Sequence, residues 1–172
     1  FPLTLADCTV LVYPPGCDGR LKALPRLFDR DQLNAMARQA LGEVPGDGPL
    51  QMAPLVHKPE RRFVARIHNG TFSAAIKCYT PPDFEAARRN AKTLRSGEMF
   101  RIAAALGRSR RRSFVILPWL EGTLLRETLW QNRATRMDLE RTGGAIAQFH
   151  QQRTKRLQAF TVAAEAAAIA PA

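Results

Sequence analysis

The sequence predicts an α+β fold built on an antiparallel sheet with one packed helix. Three observations carry that expectation. The spacing of apolar residues changes from helical to alternating at Leu50. An alternating run then meets Asn69-Gly70, a dipeptide that favours a hairpin turn because both residues tolerate positive φ. Later, Phe114-Val115-Ile116-Leu117 is a continuous apolar run, the pattern of a strand buried on both faces.

Taken in order, residues 1–30 are rich in Pro and Gly, with turns expected at Pro14-Pro15-Gly16 and Asp18-Gly19 and a short strand at Thr9 to Tyr13. A helix follows, because Leu33, Met36, Ala37, Ala40 and Leu41 recur at helical spacing. Asp29 or Asp31 can cap its start and Gly42 can end it. Residues 43–49 read as a linker. Strands are predicted over 51–57 and 61–68, with His57-Lys58-Pro59-Glu60 as the turn between them, and a third from Thr71 to Tyr79. On the second, Phe63, Ala65 and Ile67 alternate with Arg62, Val64, Arg66 and His68.

Pro81-Pro82 is expected to stop the sheet. Asp83 then caps a helix through Arg95, with Phe84, Ala87, Ala91 and Leu94 on one face, and Ser96-Gly97 closes it. Arg101 to Leu106 is weakly strand-like, and Pro118 ends the Phe114–Leu117 strand. A last helix is expected over 137–152, with Leu139, Gly143, Ile146 and Phe149 inward. The Ala-rich stretch 163–172 specifies little. The expected division is an N-terminal arm with one helix (1–49), a sheet unit (50–120) and a helical part (121–172).

A chain of 172 residues is one domain's worth of material. The apolar fraction of 45% and charged fraction of 24% are globular averages, which excludes a disordered tail, a collagen or a coiled coil. No apolar run approaches the ~18 residues of a membrane span, and no signal-peptide pattern opens the chain. Cys8, Cys17 and Cys78 form no CxxC pair, so a disulfide framework is a poor reading and a reducing cytoplasm is the expected setting. The chain starts at Phe1 rather than Met, which leads to the expectation of an excised or processed protein.

The outlier is charge. Twenty-six basic against fifteen acidic residues leave +11, a balance that attracts polyanions. Arg108-Ser109-Arg110-Arg111-Arg112 is the one run resembling a dedicated anion patch, although a solvated loop is the commoner outcome for such a run.

On the third strand Ala75 and Lys77 point one way, while Ala74, Ile76 and Cys78 point the other. A small residue beside a mid-strand lysine leaves room for a flat ring and brings an ammonium within reach of a phosphate. A snorkelling or edge-strand lysine is the bland alternative. The acid expected on the next helix is Glu85, with Glu98 the second choice. Glu85 lies in the first turn, where it serves the helix dipole equally well.

The order of these pieces resembles the N-terminal lobe of the protein-kinase-like aminoglycoside phosphotransferase family. Ala74-Ala75-Ile76-Lys77 is similar to the Val-Ala-Ile-Lys motif of kinases, whose lysine neutralises ATP phosphates. The segment from Phe114 to Leu125, with Pro118-Trp119-Leu120-Glu121-Gly122-Thr123-Leu124 at its centre, resembles that family's hinge. Gly143-Gly144-Ala145-Ile146-Ala147-Gln148-Phe149-His150 is similar to its first large-lobe helix, and Lys58-Pro59-Glu60-Arg61-Arg62-Phe63 to a Lys-Pro-Gly-Arg-Arg hairpin. The resemblance covers about residues 50–152.

It implies a small lobe over 50–120, followed by a hinge and the first helix of a truncated large lobe. It implies ATP as cofactor, with Lys77 on the phosphates, Glu85 as its partner, Ala75 and Leu117 in the apolar slot, and the backbone of Trp119 and Leu120 along the adenine edge. The acceptor would be a small-molecule alcohol bound by the large lobe, with the Mg²⁺ ligands also outside this chain. Two departures stand out. The loop at His57-Lys58-Pro59-Glu60 is not glycine-rich, so Lys58, Arg61 or Arg62 would supply charge in place of backbone amides. The His-Gly-Asp-Leu-His catalytic segment and later metal-binding Asp have no counterpart here, so no catalytic or metal residue is assigned and the chain alone is expected to be inactive. Its large-lobe face, including Trp119, Leu124, Leu125 and Phe149, is expected to be apolar, exposed and prone to self-association. The alternatives are a basic module binding nucleic acid through Arg108–Arg112, weakened by the absence of interleaved aromatics, and a pseudokinase scaffold.

Overall fold

The computed structural model describes residues 2–5, 8–11 and 14–152. Pro2–Leu5 (β1) and Cys8–Leu11 (β2) pair as an antiparallel ribbon. The strand expected at Thr9 to Tyr13 therefore begins at Cys8. Residues 12 and 13, and the stretch 163–172, lie outside the described residues. A 3-10 turn (Pro15–Cys17) and a short helix, Leu24–Leu27 (α1), lead into the helix Arg30–Leu41 (α2). Local chemistry sets both ends of α2. Asp29 Oδ1 accepts from the N–H groups of Asp31 and Gln32 at 3.0 Å each. Gly42 closes the helix at φ +82°, a left-handed value that glycine adopts without strain.

The sheet follows as Gln51–Lys58 (β3), Arg62–Asn69 (β4) and Phe72–Tyr79 (β5). After the helix Pro81–Ala91 (α3) come Gly107–Ser109 (β6) and Phe114–Pro118 (β7), then the helices Leu125–Trp130 (α4) and Arg136–His150 (α5). The strand order is β3-β4-β5-β7-β6, antiparallel throughout. The connection through α3 and β6 thus returns β7 to the edge of β5.

One face of the sheet is dry. Phe63, Ala65 and Ile67 of β4, Ala74, Ile76 and Cys78 of β5, and Phe114 and Ile116 of β7 are buried there. They form one cluster with Leu21, Leu24 and Leu27, and with Leu33, Met36 and Ala37 of α2. Burying the larger aliphatic and aromatic members contributes about 1.5–3 kcal/mol each. The predicted arm and the predicted sheet unit therefore share a single core, and the opposite face, free of the arm, is covered in part by α3.

Several expectations shift. The hairpin loop is Gly70-Thr71, with Asn69 opposite Phe72 as the last ladder pair, and only Gly70 takes positive φ (+47°). A glycine at the first loop position fits a type II′ turn, whose twist suits the strands. Asn69 is buried and donates from Nδ2 to Gly48 O at 2.8 Å, tying the 43–49 linker to the sheet. Pro81 and Pro82 open α3 rather than merely stopping β5, because the first helical turn has no use for their missing N–H groups. Thr80 is the cap, with Asp83 inside the first turn, and the helix ends at Ala91 rather than Arg95.

The segment 101–106 is irregular, and the strand begins at Gly107. β7 is buried on one face only, since Val115 and Leu117 are half-exposed. The inward face expected of α5 is open: none of its residues is buried, and Leu139 and Ile146 are 49% and 51% exposed. Gln148 Oε1 accepts from the Met99 N–H, Gln152 accepts from the Arg95 N–H and donates to the Arg95 carbonyl, and these bonds with a Phe100–Phe149 edge contact hold it instead. Of the residues expected to be exposed, Leu124 and Phe149 are, while Trp119 and Leu125 are half-buried. Among the described residues no helix is long and apolar enough to cross a membrane.

Candidate functional site

The free face of the sheet carries every candidate that lies on a strand. Ladder register places Lys77 between Val64 of β4 and Val115 of β7, and Ala75 between Arg66 and Leu117. Arg62 lies opposite Tyr79. Period-two alternation explains the grouping: residues two apart share a face, and the apolar partners of each strand had already claimed the other. Ala75 and Lys77 share this surface as the spacing predicts, and strand pairing brings Leu117 and Arg62 beside them.

Lys77 is half-buried, and no carboxylate lies within ion-pair distance of it among the described residues. Burial pushes its ammonium below the ordinary lysine range, and the Arg62 guanidinium pushes the same way. Arg62 also has a buried Nε with no hydrogen-bond partner. It lines a small cavity of about 260 Å³ at the β3–β4 hairpin, together with Lys58, Arg61, Tyr79 and Asp83.

Glu85 is engaged elsewhere. Its Oε2 accepts from Arg88 Nε at 2.9 Å, and Arg110 Nε comes within 2.8 Å of the shielded Oε1, off the hydrogen-bond axis. The Arg88 hydrogen bond, reinforced by the charge of Arg110, holds this carboxyl below the usual glutamate range. The arginine run accordingly does more than solvate a loop. Arg108 lies on β6, Arg110 reaches Glu85, and Arg112 Nη1 donates to Gln39 Oε1 at 3.3 Å. Glu98, the second choice for Lys77, is exposed in the irregular segment after α3.

At the far end of β7, Trp119 is half-buried and the Arg66 guanidinium lies over its ring, 4.7 Å from the centroid. Leu120, next in the expected hinge, is exposed. His150 ends α5. Among the described residues no three His, Cys, Asp or Glu side chains gather in a way that could hold a metal ion.

One residue escaped sequence reasoning. Asp18, expected only to mark a turn, is 2% exposed and holds the hairpin next to Arg62. Its Oδ2 accepts from the Glu60 N–H at 2.7 Å and from His57 Nε2 at 3.1 Å, and its Oδ1 from the Arg20 N–H at 3.2 Å. Asp-Gly signals a turn and nothing more, and its distant partners leave no local trace. Comparison with family models, curated proteins and solved structures finds no match, so the residues themselves carry the functional argument.

Proposed function

We propose that this chain is the nucleotide-binding part of an ATP-dependent phosphotransferase acting on a small-molecule alcohol, similar to the aminoglycoside phosphotransferase family. One observation carries the reading. Two cations, Lys77 and Arg62, share the free face of the sheet, partly desolvated, and among the described residues no acid pairs with Lys77. A desolvated cation without a counter-charge is unfavourable unless an anion completes it, and phosphate oxygens suit both an ammonium and a guanidinium. Ala75 and Leu117 beside them form an apolar surface where a flat base can lie. Arg62 on its clamped hairpin stands where a glycine-rich loop would otherwise supply backbone amides.

The supporting fold is an antiparallel α+β sheet with a lysine strand at its centre and an apolar strand returning beside it. In this reading Lys77 orients the phosphates of ATP, Arg62 adds charge at the hairpin end, and the Trp119–Leu120 backbone follows the adenine edge. The acceptor site, the catalytic base and the Mg²⁺ ligands come from outside the described residues.

The test is titration of the chain with ATP, and separately with adenosine and inorganic triphosphate, followed by calorimetry. Binding of ATP that weakens roughly 10- to 100-fold in Lys77→Ala and in Arg62→Ala supports the reading, since a charge-assisted phosphate contact is worth about 1.5–3 kcal/mol. Absence of ATP binding, together with oligonucleotide binding that falls steeply with salt, would replace it with the basic-module alternative.

A further inference from the structure

The half-buried Val115 and Leu117 form the floor of a second, larger cleft of about 470 Å³, roofed by α3 and walled by residues 102–105. Its origin is in side-chain size. Phe84 is the only residue of α3 that is buried. Beyond it the helix presents Ala87 and Ala91 across the cleft from Ala103, Ala104 and Ala105. Alanines on both walls are too short to fill the space between α3 and the sheet.

The mouth is cationic. Arg88, Lys92 and Arg108 line it, and among the described residues no Asp or Glu does. Arg88 is already paired with Glu85, whereas Lys92 and Arg108 are exposed and form no ion pair among the described residues. An apolar interior of a few hundred Å³ with a small number of placed polar groups is the usual make-up of a small-ligand site.

We infer that this cleft binds a small amphiphile, a hydrocarbon body ending in one anionic group, of which a medium-chain acyl carboxylate is the simplest member. The hydrocarbon displaces water from Val115, Leu117 and the alanine walls, and the head group stays at the rim with Lys92 and Arg108. A polyphosphate fits poorly, because most of the lining is apolar and only the Tyr79 and Ser96 hydroxyls add polar groups to the three cations. The cleft shares Leu117 with the apolar slot of the nucleotide reading but neither of its cations, since Lys77 and Arg62 do not line it.

The test uses the full chain titrated with decanoate and with decanol, below the micellar range, by calorimetry and backbone NMR. Decanoate should bind one per chain, about tenfold tighter than decanol, the difference a charge-assisted contact supplies. Lys92→Gln combined with Arg108→Gln should erase that difference. Ala87→Phe should abolish decanoate binding while ATP binding persists. Should Ala87→Phe fail to fold, Ala103→Leu fills the cleft from the opposite wall, outside any helix or strand. Equal affinity for decanol and decanoate would overturn the proposal. So would undiminished binding by a folded, filled variant, which would put the ligand on the exposed apolar face of α5.

Discussion

Asp18 and His57 stand 39 positions apart and meet at 3.1 Å, carboxylate Oδ2 against imidazole Nε2. The same oxygen accepts from the Glu60 N–H, so one buried side chain of the arm fastens the end of β3 and the turn that follows it. That turn carries Lys58, Arg61 and Arg62 toward the free face of the sheet. Glu60 sits at φ +58°, a conformation that a non-glycine residue holds only when its surroundings impose it. The hairpin is thus positioned by a residue outside the sheet.

Asp18→Ala should destabilise the protein by about 1–3 kcal/mol at neutral pH, because a buried N–H and an imidazole lose their acceptor. Burial pushes the Asp18 carboxyl up, but the hydrogen bonds from Glu60, His57 and Arg20 outweigh it and hold it below the ordinary value of 3.8. A carboxyl lowered by folding contributes stability above its unfolded value and loses it as pH falls through the folded one. Urea midpoints of wild type and variant should therefore differ most near pH 7 and converge below about pH 4. A gap that persists unchanged into acid would show that Asp18 acts through shape and not charge.

Lys77→Met should leave the nucleotide-free protein as stable as the wild type, or slightly more so. Burial and Arg62 together hold the Lys77 ammonium below its ordinary 10.5, so at neutral pH this charge opposes folding, and the opposition fades as pH rises toward 10.5. A stability gain of up to about 1 kcal/mol, read by thermal melting, fits a half-buried site. A large loss would mean that Lys77 has a structural partner and is no ligand group.

Replacing Arg110, Arg111 and Arg112 by Gln should change stability by no more than about 0.5 kcal/mol. The contact between Arg110 and Glu85 is made by an arginine side chain that is 82% exposed, and exposed pairs contribute little. If the proposed nucleotide reading holds, ATP affinity is unchanged in this variant. A marked drop in that affinity would place the run on the nucleotide.

Gly107→Ala should cost about 1–3 kcal/mol, the range of an overpacked buried position. A Cβ at Gly107 would collide with the carbonyl of Ala40, a backbone group that cannot swing aside. The expected readout is a lower denaturant midpoint with an unchanged slope. Wild-type stability in this variant would mean that α2 and β6 are less closely apposed.

Within the fold, the legible parts were those whose causes are local. Asp29 and Gly42 bound α2 because a cap and a left-handed glycine act within one turn of the chain. Alternation put Ala75 and Lys77 on one face and Ile76 and Cys78 on the other because strand geometry leaves no other choice. The same alternation, once the strands pair, groups Arg62 and Leu117 with Lys77, which is as much of the candidate site as local rules can specify.

The rest depended on which groups meet across the chain. The carboxylate of Glu85 had Lys77, Arg88 and Arg110 as available partners of one sign, and their placement in space gave it to the two arginines. The apolar residues of α5 satisfied the helical period, yet period specifies a face and not what covers it, and here nothing among the described residues buries them. Asp18 read as a turn because its neighbours in sequence are turn-formers, while its partners lie on β3 and in the turn that follows. Charge pairing, exposure and hairpin anchoring act through space over a few ångströms, and the distances that decide them exist only once the arm has closed over the sheet.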